Sequence, residues 1–396
     1  MAAKVPLAGS EPVTLVTGGC GFVGRHLVRR LLAQRRSVLI VDDLSTGIHP
    51  DRWLGSDHQG RPWSRTEQGG VTVYRSDGQQ VVFAARDLIA WLLFDWPTFE
   101  RSQVGFDYVF HLASVVGGRA KIDGDPMAVA IDLAIDSVFF RWAVRNRARI
   151  GRVLYASSSA AYPVQFQGAE GAVALSEDMV AFGVNLGQPD MTYGWSKLSG
   201  EYLAGIASRH YGLAVACVRP FSGYGGDQDP SYPIPAIARR VALREDPLVV
   251  WGSGQQGRDF VHIEDCIEGM LLAIEKIADG GAVNIGTGRL MTFVEVARLF
   301  ANLAGYDPVI LPQPDKPQGV VCRYADTIRM RTLLGWFPRI TVEEGFARVL
   351  AEQTEAIRAP AETAVPGPFR AGMIRREPAS GRGAAGARAR RSHNPS

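Results

Sequence analysis

A short apolar run leads directly into a glycine-rich turn at Thr14-Leu15-Val16-Thr17-Gly18-Gly19-Cys20-Gly21-Phe22-Val23-Gly24. The following segment, Arg25 to Gln34, has helical character, so the order is strand, glycine turn, helix. Gly18 and Gly21 allow the backbone to turn tightly and approach a pyrophosphate, while Gly24 allows close packing of helix and strand. The free N–H groups and dipole of the helix N-terminus favour phosphate binding. The stretch predicts a dinucleotide site; a tight turn without ligand is the alternative.

A second apolar run supports this prediction because it ends in a carboxylate. Residues 37–41 are apolar apart from Ser37, and Asp42 follows them. An acidic residue about 20 positions beyond the glycines can accept hydrogen bonds from a ribose diol and repel a 2′-phosphate. The position therefore favours NAD over NADP. Asp42 could instead be an ordinary turn residue, as could Asp43 beside it.

Size and composition indicate a globular protein of one large or two modest domains. The chain has 396 residues, of which 46% are hydrophobic and 21% are charged. It contains no apolar run long enough for a transmembrane helix. The first eleven residues lack the basic and apolar regions of a secretory signal. We therefore expect a cytoplasmic protein that does not bind membranes.

The charge distribution argues against nucleic-acid binding. The net charge is +3, but the segment from Arg358 onward contains eight arginines and two glutamates, so the remainder of the chain is acidic. Residues 357–396 are rich in Arg, Ala, Gly and Pro, which predicts a disordered tail. The four cysteines are scattered without a CxxC pair, so neither a disulfide framework nor a metal site is expected.

Apolar runs and helical segments alternate through the first half of the chain. Further runs lie at 81–85, 108–113, 153–157 and 213–218, which predicts a parallel sheet covered by helices on both faces. Residues 48–78 are polar and too long for a usual connection, which indicates an insertion or an extra hairpin.

The residue pattern of the chain changes after Pro220, where loops rich in Gly, Pro and Asp alternate with short helices. We predict an α/β protein with a doubly wound, Rossmann-type parallel sheet in residues 11–222 and a smaller substrate-binding domain in residues 223–356. A strand near 283–285 is expected to return to the main sheet.

A tyrosine and a lysine lie four residues apart at Tyr193 and Lys197, and therefore on one face of a helix. A phenol with a pKa of about 10 is a poor base at neutral pH. A nearby ammonium and an oxidised nicotinamide would stabilise the phenolate. The alternative is a pair on the surface of a helix.

Three serines, Ser157 to Ser159, lie at the carboxyl end of the predicted strand at 153–157. The carboxyl end of a strand in an open sheet faces the ligand, so a hydroxyl there can bond a substrate oxygen and relay its proton to Tyr193. The serines could equally begin a polar loop.

Together these segments resemble the extended short-chain dehydrogenase/reductase family, in particular its nucleotide-sugar epimerases and dehydratases. The resemblance covers about Pro12 to Leu350. Its motifs are Thr17-Gly18-x-x-Gly21-Phe22-x-Gly24, Val41-Asp42-Asp43-Leu44-Ser45-Thr46-Gly47, Asp87-Leu88, His111-Leu112-Ala113-Ser114, the serine strand end, Tyr193-x-x-x-Lys197, Arg219-Pro220-Phe221-Ser222-Gly223-Tyr224-Gly225, Gly257-Arg258-Asp259-Phe260-Val261-His262-Ile263-Glu264-Asp265 and Asn284-Ile285-Gly286-Thr287-Gly288.

The resemblance implies roles for individual residues. Tyr193 would be the base, Lys197 its partner and Ser158 the catalytic hydroxyl. The residues implied in binding NAD are Gly18, Gly21, Phe22, Val23, Gly24, Asp42, Asp43, Ser45, Asp87, Leu88, Leu112, Ala113, Ser157, Tyr193, Lys197 and Pro220. Those implied in binding a nucleotide-sugar are Gly117, Ser159, Ser222, Arg258 and Arg323, of which the two arginines would hold the diphosphate. Arg258 could instead be a plain surface charge. The family also suggests a homodimer formed through two sheet-flanking helices.

Departures from the family pattern bear on the reaction. The family usually has Asn at Ser222 and Pro at Gly226. Dehydratases usually carry Asp-Glu where Ser159 and Ala160 stand, and sugar-acid decarboxylases usually have Glu at Ala160. The sequence motifs most resemble those of GDP-mannose 3,5-epimerases, which have a similar loop at Gly117-Gly118. Those enzymes use Cys at the position of Ala160.

The strand end thus supplies no additional acid or base, and reversible oxidation at C4 needs none. The residues therefore favour an NAD-dependent nucleotide-sugar C4 epimerase. One alternative is a 4,6-dehydratase or 3,5-epimerase with a proton donor from another loop, such as Lys121 or Glu177. Another is a non-catalytic NAD-binding sensor or scaffold.

Overall fold

A nine-stranded sheet forms the centre of the computed structural model, which describes residues 13–57, 59–97, 104–115, 124–168, 172–184 and 186–358. In chain order the strands are β1 (Val13–Thr17), β2 (Val38–Asp42), β3 (Ser64–Gln68), β4 (Val71–Ser76), β5 (Gln79–Ala85), β6 (Phe106–His111), β7 (Ile150–Ala156), β8 (Val215–Pro220), β9 (Ser222–Tyr224), β10 (Leu248–Trp251), β11 (Gly257–His262), β12 (Asp279–Ile285), β13 (Leu290–Thr292), β14 (Ile310–Gln313) and β15 (Cys322–Arg323).

The main helices cover the faces of this sheet and of the strands that follow it. They are α1 (Phe22–Ala33), α2 (Val129–Arg145), α3 (Met191–Tyr211), α4 (Pro233–Ala242), α5 (Ile263–Lys276), α6 (Phe293–Ala304) and α7 (Val342–Arg358). Helix α1 begins three residues before the predicted start at Arg25, because the tight turn is already complete at Gly21, which caps the helix in an extended conformation.

The strand order places the ends of β1 and β6 side by side. The order is β12-β8-β7-β6-β1-β2-β5-β4-β3, and the strands from β12 to β5 are parallel. The chain leaves β1 towards β2 on one side and later returns to β6 on the other. Ligands of open α/β sheets bind at the carboxyl ends of the strands, where the order reverses in this way.

Two apolar cores lie on opposite faces of the sheet, which confirms the predicted doubly wound architecture. On one face, Leu27 of α1 and Ile267 of α5 are buried against the strands. On the other face, Phe139 of α2 and Ala204 of α3 are buried against the strands in the same way. Because both faces are covered, the central strands are largely apolar, as β2 illustrates with four buried aliphatic residues before Asp42.

The polar segment 48–78 contains the extra hairpin that the sequence predicted. Strands β3 and β4 pair in antiparallel fashion, and β4 pairs with β5, so the hairpin extends the sheet at one edge. Every residue of β3 is exposed, whereas β4 buries Val71 and Val73. Exposed charged side chains on an edge strand discourage pairing with another chain.

The strands after β8 build two smaller sheets over a third core. Strand β11 pairs with β9, β13 and β15, and β10 pairs with β14. Phe260, Phe300 and Phe346 lie in this core, with the rings of the last two stacked 4.5 Å apart. Strand β12 returns to the main sheet beside β8, as predicted for residues 283–285.

The proposed domain limits at residues 222 and 356 stay predictions, and the segment 359–396 lies outside the described residues. Among the helices that are described, none is long and apolar enough to cross a membrane.

Candidate active site

The glycine turn fits a phosphate group at the N-terminus of α1. Gly18 has a φ of +70°, and a Cβ placed on it would lie 2.7 Å from the backbone nitrogen of Ala113. A Cβ on Gly24 would lie 2.3 Å from the carbonyl oxygen of Gly18. A Cβ on Gly21 would meet only that same oxygen, at 3.3 Å. Protein packing therefore requires glycine at 18 and 24, whereas Gly21 leaves open space where a pyrophosphate can approach.

Asp42 organises this turn from the end of β2. Its buried carboxylate accepts hydrogen bonds from the backbone N–H groups of Cys20, at 2.9 Å, and Leu44, at 2.8 Å. Burial raises the pKa of Asp42, and the two N–H donors oppose that rise. The carboxylate thus stabilises the turn itself, and its oxygens retain lone pairs that can accept from a ribose diol.

The other residues expected near the cofactor follow the strand ends. The backbone N–H of Leu112 donates to the carbonyl oxygen of Thr17 at 3.1 Å, which places Leu112 and Ala113 beside the glycine turn. Phe22 and Val23 lie in the first turn of α1, and Pro220 ends β8. These residues border the carboxyl edge of the sheet.

Four further residues expected to contact the cofactor lie in turns of the backbone. Asp43 accepts a hydrogen bond from the backbone N–H of Ser45 at 2.9 Å. Asp87 accepts one from the N–H of Ala90 at 2.8 Å and caps a helical turn that begins at Leu88.

Helix α3 brings Tyr193 and Lys197 together beneath the serine turn. The Lys197 Nζ lies 5.5 Å from the centroid of the Tyr193 ring. Lys197 is only 4% exposed, so the alternative of a surface pair is wrong. Ser158 lies near enough to Tyr193 to lower the pKa of its phenol, and the Ser158 hydroxyl accepts from the backbone N–H of Ala160 at 3.1 Å. The structure thus unites Ser158, Tyr193 and Lys197.

Burial and charge set the protonation of this group. Burial raises the pKa of Tyr193 above its ordinary value, although Lys197 and the hydrogen bond from Ser158 lower it in part. Burial acts to lower the pKa of Lys197, but Tyr193, Asp136 and Asp132 raise it above its ordinary value. At neutral pH the phenol is therefore protonated and the ammonium is charged. A further positive charge is needed before Tyr193 can act as a base.

A buried ion pair, which the sequence analysis did not identify, holds together the elements that carry the site. Glu201 accepts two hydrogen bonds from Arg219, at 2.8 and 2.6 Å, and both residues are buried. The hydroxyl of Ser157 donates to Glu201 at 2.5 Å, so Ser157 ties β7 to α3. Glu201 follows Tyr193 and Lys197 at the same four-residue spacing, and this periodicity could have identified it.

The two arginines expected to bind a diphosphate are direct neighbours. Arg258 of β11 and Arg323 of β15 occupy paired positions of adjacent parallel strands. Arg258 donates to the carbonyl oxygen of Val320 at 2.9 Å, and Arg323 donates to Asp190 at 2.7 Å. Because Asp190 immediately precedes α3, the ion pair links Arg323 to the helix of Tyr193.

The remaining candidates differ in what the structure shows. Ser159 is buried next to Ser158, and Ser222 begins β9. Gly117 and Lys121 lie outside the described residues. Glu177 is buried, and its carboxylate accepts a hydrogen bond from the backbone N–H of Asn284 at 2.8 Å. Glu177 therefore has a structural role in holding the backbone of β12 at Asn284.

Comparison with known proteins agrees with this geometry. The family model described as the NAD dependent epimerase/dehydratase family matches residues 14–286. The matched segment runs from β1 to the end of β12 and contains the glycine turn and the Tyr193–Lys197 pair. The chain belongs to this family, and its fold is the mixed α/β Rossmann type.

Relatives within the family carry out different reactions. UDP-glucose 4-epimerase of Mycolicibacterium smegmatis is 26% identical over 346 residues, which cover 85% of this chain and 97% of the relative. GDP-mannose 3,5-epimerase 1 of Oryza sativa subsp. japonica is 25% identical over 336 residues, covering 83% and 78%. The solved structure of MoeE5 in complex with UDP-glucose and NAD has a TM-score of 0.66 and 27% identity, covering 87% of this chain and 99% of that one.

Two glycine substitutions separate packing from cofactor binding. We expect Gly21→Ala to fold normally but to bind NAD about tenfold more weakly or worse, because its methyl group enters the space left for the pyrophosphate. Gly24→Ala should instead lower the free energy of unfolding by about 1–3 kcal/mol, because its methyl group overlaps the Gly18 carbonyl. Urea unfolding and the NAD content of the purified variants measure the two effects. Equal NAD content in Gly21→Ala and the unchanged protein would contradict this assignment.

Proposed function

We propose that the chain is an NAD-dependent nucleotide-sugar 4-epimerase that acts through a transient 4-keto intermediate. The observation that carries this proposal is the grouping of Ser158 and Tyr193 with the buried Lys197 at the edge of the sheet. Ser159 and Ala160, which follow Ser158, cannot act as the extra acid or base that elimination or C3 and C5 epimerisation needs. Overall similarity to a UDP-glucose 4-epimerase supports the same reaction.

The residues of this chain would divide the chemistry as follows. Bound NAD would supply the acceptor for the hydride of C4 and the source of the hydride that returns to it. Tyr193 takes the proton of the C4 hydroxyl, and Ser158 bonds the same oxygen. Lys197 stabilises the phenolate by its charge. After the keto sugar turns its other face to the cofactor, Tyr193 returns the proton to the C4 oxygen.

Cofactor and substrate would be held by separate parts of the chain. The glycine turn and the N-terminus of α1 would bind the pyrophosphate of NAD, and Asp42 the adenosine ribose. Arg258 and Arg323, being adjacent, would bind the diphosphate of the nucleotide-sugar through their planar guanidinium groups. A panel of UDP-, GDP-, CDP- and dTDP-sugars, with products read by NMR, identifies the substrate.

Removal of the phenolic oxygen tests the catalytic assignment. Tyr193→Phe should lower kcat by at least about a hundredfold, because general acid–base catalysis typically contributes factors of about 10² to 10⁴. NAD should remain bound, since the ring is retained. Ser199→Ala is the matched control on the same helix, where the hydroxyl only donates to the carbonyl oxygen of Trp195. Retained turnover in Tyr193→Phe would refute the mechanism and revive the non-catalytic NAD-binding alternative.

A second reaction class has one observation in its favour. Burial raises the pKa of Tyr232 to about 12, and the charge of Tyr193 is the second cause of this rise. The phenol of Tyr232 therefore lies near Tyr193. Tyr232 would be the second proton donor that a 3,5-epimerase or 4,6-dehydratase requires. The similarity to GDP-mannose 3,5-epimerase supports the same alternative.

Turnover in deuterated water separates the two classes. In a 4-epimerase the hydrogen on C4 travels to the cofactor and back, so the product should carry no carbon-bound deuterium. Proton transfer at C3 or C5 would instead introduce deuterium from the solvent at those carbons. NMR of the product reads each position. Deuterium at C3 or C5 would reject the 4-epimerase in favour of the reaction that Tyr232 supports.

We also propose a homodimer in which α2 and α3 meet their counterparts. Large apolar side chains are exposed on both helices, namely Ile131 on α2 and Trp195 and Tyr202 on α3. Trp195 and Tyr202 are seven residues apart and share one helix face. Sedimentation should give twice the chain mass of 43.0 kDa, and Trp195→Glu should shift the mass towards the monomer. A monomeric unchanged protein would contradict the proposal.

A further inference from the structure

Asp190 is the N-cap residue of α3, the helix that carries Tyr193. Aspartate is among the residues preferred at this position, because its carboxylate can accept from the backbone N–H of the second or third helical residue. In α3 these two residues are Thr192 and Tyr193. Asp190 nevertheless makes no capping hydrogen bond to α3, a helix that is described along its whole length. Its carboxylate instead accepts from the Nη2 of Arg323 at 2.7 Å.

The backbone of Asp190 is fixed by hydrogen bonds that do not involve the carboxylate. Its N–H donates to the carbonyl oxygen of Ala160 at 2.9 Å, and its carbonyl oxygen accepts from the N–H of Gly194 at 2.9 Å. A change of partner for the carboxylate, from Arg323 to the first turn of α3, therefore requires rotation about side-chain bonds and no displacement of the main chain at this residue.

The residue between Asp190 and that turn has a strained backbone. Met191 has a φ of +57°, in the left-handed region that residues with a side chain rarely adopt. Such a conformation persists only where the surrounding contacts hold it, and it is concentrated at sites that bind ligands or switch between states. Tyr193 follows two residues later. The contact that Asp190 makes thus bears directly on the turn that places Tyr193.

Arg323 has a second partner that does not depend on Asp190. The Nε of Arg323 donates to the Oε1 of Gln167 at 2.6 Å. Gln167 is only 1% exposed, and its Nε2 donates to the carbonyl oxygens of Tyr162 and Pro163 at 3.0 and 3.2 Å. This buried amide keeps the guanidinium in place when the carboxylate leaves. A ligand that replaces Asp190 would therefore meet Arg323 where it already lies.

A diphosphate and the Asp190 carboxylate are alternative partners for one cation. Arg258 lies beside Arg323 in the register of β11 and β15, so two guanidinium groups are close enough to share a diphosphate. The side chains of Arg323 and Asp190 are 11% and 13% exposed, so a ligand can reach both from solvent. The displaced carboxylate also has a second place to bind, because the N–H groups and the dipole at the start of a helix favour a negative charge.

We propose that Asp190 is a positioning residue that pairs with Arg323 while no diphosphate is present and caps α3 once a diphosphate binds Arg323. The inference rests on the proposed function, since it takes Arg258 and Arg323 as the diphosphate site. In the capped state the carboxylate accepts from the backbone N–H of Thr192 or Tyr193. Binding of the diphosphate thus stabilises the turn that holds the residue acting on the sugar.

Two substitutions at Asp190 separate its two contacts. Asp190→Asn and Asp190→Ala both remove the charge that pairs with Arg323, but only asparagine is also a preferred N-cap residue. Both variants should bind a nucleoside diphosphate about three- to tenfold more tightly, because the competing ion pair is absent. The kcat of Asp190→Asn should exceed that of Asp190→Ala by about fivefold, because alanine leaves the first turn of α3 uncapped.

Calorimetric titration of the full-length protein and its variants with UDP, GDP, CDP and dTDP measures the affinities, and initial rates give kcat. Asp178→Asn is the matched control, because it removes an exposed carboxylate whose partner Arg329 lies 3.9 Å away, and its affinity should not change. A purely structural role, or one in which Asp190 orients Arg323, predicts weaker binding in both Asp190 variants. Unchanged or weaker binding, or equal kcat in the two, would overturn the proposal.

A crystal structure of the complex with the tightest-binding nucleoside diphosphate tests the change of partner without turnover. The Asp190 carboxylate should lie within hydrogen-bond distance of the N–H of Thr192 or Tyr193, and a carboxylate still bonded to Arg323 would overturn the inference alone. Binding without conversion of any sugar would refute the 4-epimerase and leave both tests of Asp190 valid. A protein that binds none of the four nucleotides would refute the substrate site and the inference with it.

Discussion

The close packing of helix α3 against the strand ends is the constraint on which the site depends. A Cβ on Gly194 would lie 2.3 Å from the carbonyl oxygen of Ala160, and one on Gly200 would lie 2.0 Å from the hydroxyl oxygen of Tyr155. Only glycine at both positions lets the helix approach the sheet this closely. The approach buries Lys197, and a buried ammonium is tolerated only where opposite charges compensate for its lost hydration. The close packing of α3 therefore sets the position of Tyr193 and also requires the carboxyl groups of α2 near Lys197.

The same helix connects the substrate side of the site to the catalytic side. Arg323 bonds Asp190, the residue before α3, while Glu201 further along the helix bonds Arg219 of β8. The helix is therefore anchored at two points by ion pairs. A diphosphate bound by Arg323, as proposed, would compete with Asp190 for the guanidinium and would thereby couple substrate binding to the start of the helix that carries Tyr193.

The features that could be predicted from the sequence are those that depend on local patterns of residues. Continuous apolar runs predicted the central strands, because strands covered on both faces need no polar side, and the four-residue spacing predicted that Tyr193 and Lys197 share a face. Polar residues 64–68 have no such periodicity, so only an extra hairpin could be expected there, without its register. The contacts of Asp132 and Asp136 with groups on other elements depend on tertiary packing, which no local pattern reveals.

Charge compensation also bears on the class of reaction. Two acidic residues of α2, Asp136 and Asp132, both raise the pKa of Lys197. They raise the proton affinity of Tyr193, so the phenol becomes an effective base only when the cationic ring lies beside it. Proton removal and hydride transfer are then tied to the same charge, which suits a cofactor that is recycled within the site.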